Sequence, residues 1–175
     1  MNSIRILAIL ILLAGCFGNS DGFNDLGTRE ESEDLTVANV FSSVNCIGVE
    51  RGINIFGSRN SWNEWLAEQN TYLPSSPREV TTEDSIDEPS DFVIVISMGR
   101  QPTAGYNISL ISSEASLSQG VLRVEINWKI PDQNAFLPQV ITHPCIALLV
   151  PSSNIESIRI LDQDHQILFE EQSAL

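Results

Sequence analysis

Two uninterrupted apolar runs, Phe92-Val93-Ile94-Val95-Ile96 and Cys145-Ile146-Ala147-Leu148-Leu149-Val150, constrain this chain more than any other feature. A strand with one wet face alternates apolar and polar residues, so a run that is apolar at every position belongs to a strand covered on both sides. Between them, 121–130 does alternate: Arg123, Glu125, Asn127 and Lys129 share one face, leaving Leu122, Val124, Ile126 and Trp128 for a core. That is the pattern of a half-buried antiparallel strand. Shorter β-rich runs at 44–49, 53–56, 106–112, 155–161 and 166–170 are set off by breaks, and the break at 162–165 predicts a terminal hairpin. One helix is predicted over 61–69, where Ser61 and Glu64 have capping-box spacing and Trp62, Trp65, Leu66 and Gln69 form a stripe suited to packing on a sheet. The expected fold is mainly β, an α+β chain with one short helix and an antiparallel sheet arranged as a sandwich or barrel. At 175 residues there is room for one ordinary domain.

The N-terminus reads differently. One positive charge, Arg5, precedes the run Ile6-Leu7-Ala8-Ile9-Leu10-Ile11-Leu12-Leu13, which is too short to span about 30 Å of hydrocarbon as a stable helix and ends in small residues. This is the pattern of an export signal over residues 1–15. Leu13-Ala14-Gly15-Cys16 resembles the lipobox of bacterial lipoproteins, which implies cleavage before Cys16 and diacylglycerol on its sulfur. Acyl chains such as palmitate, at roughly 0.8 kcal/mol per buried CH₂, would hold the chain on a membrane. Phe17 after the cysteine, with no aspartate, is similar to lipoproteins released to the outer membrane. The expected location is therefore the cell envelope, on the outer membrane and facing the periplasm.

Residues 16–43 read as an acidic, flexible tether, and 44–175 as a single β-rich domain. The stretch from 17 to about 40 is poor in apolar residues and carries Arg29-Glu30-Glu31-Ser32-Glu33-Asp34; a flexible chain of that length reaches about 27 Å root-mean-square. Residues 74–91 form a second acidic, proline-bearing stretch, read as a solvated loop because its carboxylates lack the spacing that wraps oxygens around one Ca²⁺. The chain has 9 Lys plus Arg against 23 Asp plus Glu, a net charge of −14, which repels nucleic acid and disfavours it as a partner.

With Cys16 assigned to lipid, Cys46 and Cys145 remain as an even pair in an oxidising compartment, which predicts a disulfide; two free buried thiols are the alternative. Closing about 99 residues contributes roughly 4 to 5 kcal/mol in the chain-entropy model. His143, Cys145 and His165 are a weaker metal-ligand set, outweighed by the disulfide, so no metal or other cofactor is assigned. With two histidines and none of the hydrolase, metalloprotease or phosphate-loop motifs, no catalytic residue is assigned, no small-molecule substrate is identified, and the chain is read as a non-enzyme. Asn107-Ile108-Ser109 has the form of a glycosylation sequon but reads as polar strand residues.

Gly99-Arg100-Gln101-Pro102-Thr103-Ala104-Gly105-Tyr106 follows one apolar run and leads into the next strand. It resembles the Gly-x-x-Pro-Thr-Gly-Gly-Tyr turn of the PrcB C-terminal domain, a family of bacterial envelope proteins named from a lipoprotein subunit of a surface protease complex. The likeness runs through 121–130, Pro131 and Thr142-His143-Pro144 to Val150-Pro151, about 92–151 in all. Ala104 departs from the family's glycine, a departure that matters only if the position requires φ > 0. The resemblance implies a lipid-anchored, non-catalytic binding or assembly module, with a protein partner such as a protease and residues Arg100, Gln101, Pro102, Thr103, Ala104, Gly105 and Tyr106 as the interaction loop. The same loop distantly resembles the Asn-Pro-Thr-Thr-Gly-Tyr/Phe loop of chagasin-type peptidase inhibitors, which implies an inhibitor as the alternative.

Overall fold

The computed structural model describes residues 32–72, 91–132, 134–151 and 153–172. They form β1 (Glu33–Thr36), β2 (Ala38–Ser43), β3 (Gly52–Phe56), α1 (Arg59–Tyr72), β4 (Asp91–Ser97), β5 (Asn107–Leu110), β6 (Glu114–Ser118), β7 (Val121–Lys129), β8 (Cys145–Pro151), β9 (Ser157–Leu161) and β10 (Ile167–Gln172). The leader over 1–15, the lipobox Cys16 and the acidic stretch over 74–90 lie outside the described residues.

The two continuously apolar runs are the central strands of a four-stranded sheet ordered β2-β8-β4-β3. Alternate side chains of β4 and β8 enter two separate cores, which is why neither strand has a polar face. Ile94, Ile96, Ile146 and Leu148 meet the second sheet, ordered β1-β6-β7-β9-β10 with β5 also on β7. Val93, Val95 and Ala147 point the other way, toward α1. The layers are sheet, sheet, helix, and neither sheet closes on itself, so the architecture is a mainly β sandwich with one helix and not a barrel.

The alternation in β7 is realised residue by residue. Leu122, Val124, Ile126 and Trp128 are buried while Asn127 and Lys129 are exposed. Its sheet is not wholly antiparallel, however: β7 pairs β9 in parallel, Leu122 opposite Ile158 and Val124 opposite Ile160. The cause is the path of the chain. After β7 it crosses to the other sheet to lay down β8, and two reversals bring it back as β9 in the original direction. The predicted terminal hairpin is β9–β10, antiparallel, closed by the His165 N–H donating to the Asp162 carbonyl.

The boundary between tether and domain requires correction. Residues 33–43, placed in the tether expected over 16–43, are strands, and the domain begins by Glu33 instead of at residue 44. Leu35 and Val37 alternate into the inter-sheet core, and Val37 is fully buried. The acidic residues before Leu35 obscure this start, because β1 is an edge strand and tolerates charge on its outward positions. Conversely, 44–49 is not a strand: Gly48 adopts φ 79° in a turn, and only Asn45 bridges to His143. A further strand, β6, is joined to β7 by the two-residue turn Gln119-Gly120, both at positive φ, as a primed hairpin turn requires.

The helix starts two residues before the expected position, and its cap is Ser58. The Ser61 N–H donates to Ser58 Oγ at 3.2 Å, the N-cap bond, and the Ser61 hydroxyl donates to the Ser58 carbonyl at 2.9 Å. The predicted stripe faces the sheet. Trp62 and Trp65 stack with centroids 5.1 Å apart, Phe41 of β2 meets both edge-on, and Gln69 donates to the Ile47 carbonyl at 3.2 Å.

Candidate functional site: the loop end of the sandwich

Three connections converge where β4 ends and β8 begins: the β2–β3 loop, the β4–β5 loop and the β7–β8 loop. The β4–β5 loop contains the sequence-predicted residues Arg100 to Tyr106, and it is held against the β7–β8 loop. Gln101 exchanges two backbone hydrogen bonds with Thr142, and the Ala104 N–H donates to the Pro138 carbonyl at 3.2 Å. Side chains add to the frame. Gln101 Nε2 donates to the Met98 carbonyl at 2.7 Å, and the Thr142 hydroxyl donates to the Thr103 carbonyl at 3.0 Å. Tyr106 is half-buried and packs on the inter-sheet core, whereas Arg100, Pro102 and Gly105 are exposed. The result is a preordered loop whose protruding surface is small, apolar and cationic.

Two glycines explain why this loop takes its shape. Gly99 has φ 67°, and a Cβ there would stand 2.9 Å from the Arg51 backbone nitrogen; Gly105 has φ 95°, and a Cβ there would meet Pro131 at 3.1 Å. Both therefore combine a left-handed backbone with a close approach. Ala104, by contrast, is not among the non-glycine residues at positive φ, which in the described residues are Gln119 and His165. Its alanine sits in the loop without backbone strain.

The Cys46–Cys145 disulfide lies at the same end, with Cα atoms 6.0 Å apart and both residues fully buried. It fastens the β2–β3 loop to the first residue of β8. Around it the Cys46 N–H donates to the His143 carbonyl at 2.7 Å, the His143 N–H to the Val44 carbonyl at 2.8 Å, and the Met98 N–H to the Pro144 carbonyl at 2.9 Å. With Cys145 so bonded, the His143, Cys145, His165 set does not assemble: His165, on the β9–β10 turn, has its Nδ1 3.1 Å from Glu125 of β7, and no group of three metal-ligating side chains occurs among the described residues.

Sequence reasoning missed the neighbours of the predicted loop. Arg51 crosses the open end of the sandwich, its guanidinium carbon 5.6 Å from the ring centroids of both Trp128 and Phe169. The β7–β8 loop adds exposed apolar side chains at Phe136, Val140 and Ile141, and the β2–β3 loop adds Val44 and Ile47. A groove lined by Gly48 to Arg51, Met98 to Gln101 and His143 runs between them. Nothing local in the sequence marks Arg51; only the backbone approach at Gly99 brings it to this loop.

Fold and loop end together define a small β-sandwich domain that presents a rigid, partly apolar tip. Residues 92–151 match the family model described as PrcB C-terminal. The chain thus carries a PrcB C-terminal-type segment, which runs from the second residue of β4 to the last of β8 and includes the β4–β5 loop. No curated protein and no solved structure matches the chain.

Proposed function

We propose that this protein is a lipid-anchored, non-catalytic binding or assembly module of the bacterial cell envelope, acting as an accessory subunit of a protease complex. The observation that carries the reading is the β4–β5 loop: hydrogen-bonded to the β7–β8 loop at Gln101, Thr103 and Ala104, yet exposed at Arg100, Pro102 and Gly105. A loop fixed before binding loses little conformational entropy on docking, so contacts made at its tip convert efficiently into affinity. The PrcB C-terminal match supports a role beside a protease, the lipobox at Cys16 supports lipid attachment, and Phe17 after it, with no aspartate, supports the outer membrane on its periplasmic side. The disulfide between Cys46 and Cys145 accords with an oxidising compartment.

The test is affinity capture of the acylated chain from membranes. A stoichiometric protein partner is expected, and its recovery is lost when residues 100–106 are replaced by a glycine-serine loop of equal length. Recovery of the chain alone contradicts the reading.

A further inference from the structure

Each sheet of the sandwich ends in two edge strands, and three of the four carry a feature that discourages further pairing. β1 has Glu33 and Asp34, β10 has Glu170, Glu171 and a register shift between Ile167 and Phe169, and β2 has a register shift between Asn39 and Phe41. Charges and bulges on an edge turn away an incoming strand. β3 has neither. Gly52-Ile53-Asn54-Ile55-Phe56 is uncharged, free of proline, and pairs β4 without a break in register. β4 is its only strand neighbour among the described residues, so the other edge of its backbone has no ladder. No residue of β3 is fully buried and Asn54 is exposed, whereas β4 is buried from Phe92 to Ser97.

The flank on which β3 lies is the open one. On the opposite flank the chain passes from β1 into β2 through a single buried residue, Val37, which closes that side. Here β3 and β10 lie against each other as two separate edges, and Ile53, Ile55, Leu168 and Phe169 are only partly buried.

We propose that β3 accepts an added strand from the partner protein, an uncharged extended segment with β-branched aliphatic residues at alternate positions. The composition of the edge selects this occupant. Residues directly opposite each other across a ladder share a face. The residues opposite Ile53 and Ile55 therefore extend the apolar seam between the sheets, and the residue opposite exposed Asn54 is polar. Charge narrows the choice further: the net charge of −14 disfavours an acidic segment, and Arg51 and Arg59, which bracket β3, disfavour a basic one. β3 starts at the loop end, where the backbone of Arg51 meets Gly99, so a segment seated on β3 continues directly from the loop tip. In such additions the main-chain hydrogen bonds supply affinity and the alternate side chains supply selectivity. The inference rests on the assembly-module reading and names how the partner is held.

The test is backbone amide hydrogen exchange, read by NMR on the full-length chain in detergent micelles, with the end-capped peptide Ser-Thr-Val-Thr-Val-Thr-Ser as the added strand. The same peptide N-methylated at every residue and an acidic counterpart with glutamate in place of threonine serve as comparators. In the free chain the β3 amides that do not bond to β4 are expected to exchange freely, and the peptide to slow them by about tenfold or more, with neither comparator doing so. Ile53→Lys sets a charge against the added strand and is expected to abolish the protection; if that variant unfolds, the N-methylated peptide decides. Unchanged exchange in β3 at millimolar peptide, equal protection by either comparator, or protection confined to β2 or β10 overturns the proposal. So does protection of β3 in the free chain together with self-association, which gives the edge to a second copy. Partner capture from membranes that persists although the peptide leaves β3 unprotected removes this inference alone; failure of capture with the unaltered chain removes the module reading itself.

Discussion

Gln101 and Thr142, 41 positions apart in the chain, pair through both backbone groups, at 2.8 Å and 3.0 Å. This isolated bridge continues the β4–β8 ladder beyond the last strand residues and fastens the exposed loop to the entry of β8. The loop end therefore shares the rigidity of the sheet's two most buried strands. Replacing Thr142 with valine keeps the backbone pair and removes the hydroxyl bond to the Thr103 carbonyl, and a loss of about 0.5–1.5 kcal/mol in chemical denaturation is expected.

Gly99→Ala should destabilise by about 1–3 kcal/mol, because it combines a left-handed backbone with a Cβ 2.9 Å from the Arg51 nitrogen. Ala104→Gly should change stability by less than about 1 kcal/mol, an entropic loss with no relief of strain. Thermal melts of the two variants side by side check the contrast; equal effects contradict the assignment of the strained positions.

Reduction of the Cys46–Cys145 bond should lower stability by roughly 2 to 5 kcal/mol, read as a shift in denaturation midpoint with and without reductant. Alkylation of the unfolded, non-reduced chain should label neither cysteine. Labelling of both would establish two free thiols in their place.

Val37→Asp should unfold or severely destabilise the protein, by more than about 3 kcal/mol, because it places a charge in the fully buried seam between the two sheets. A tether residue would tolerate the same change within about 0.5 kcal/mol. Circular dichroism during urea titration separates the two outcomes.

The strands that were legible in the sequence are those whose surroundings impose a pattern. Burial on two faces makes β4 and β8 continuously apolar, and burial on one makes β7 alternate. β1 hides behind Glu33 and Asp34, and β6, Glu114-Ala115-Ser116-Leu117-Ser118, holds too few large apolar residues to stand out, since its burial depends on β1 and β7 flanking it. The parallel β7–β9 pair follows from a crossover between sheets, which no local pattern records. The loop 100–106 was visible through its Pro-Thr-x-Gly-Tyr residues, and the cysteine pair through its even number. The groove was not, because Arg51 and Arg100 are 49 positions apart and come to the same end of the sandwich only when β3 and β4 pair.

If the loop serves assembly and not peptidase inhibition, the purified chain should leave papain unaffected at micromolar concentration in a fluorogenic peptide assay. Stoichiometric inhibition would favour the chagasin-like alternative.

The most direct test of the account is site-specific photo-crosslinking in intact cells, with a photoreactive residue at Pro102 on the loop tip or at Glu156, which lies beside Gly120 at the opposite end of β7. A discrete protein adduct from position 102 and none from 156 is predicted. Adducts from neither position, or from 156 alone, would contradict the claim that the loop end is the binding surface.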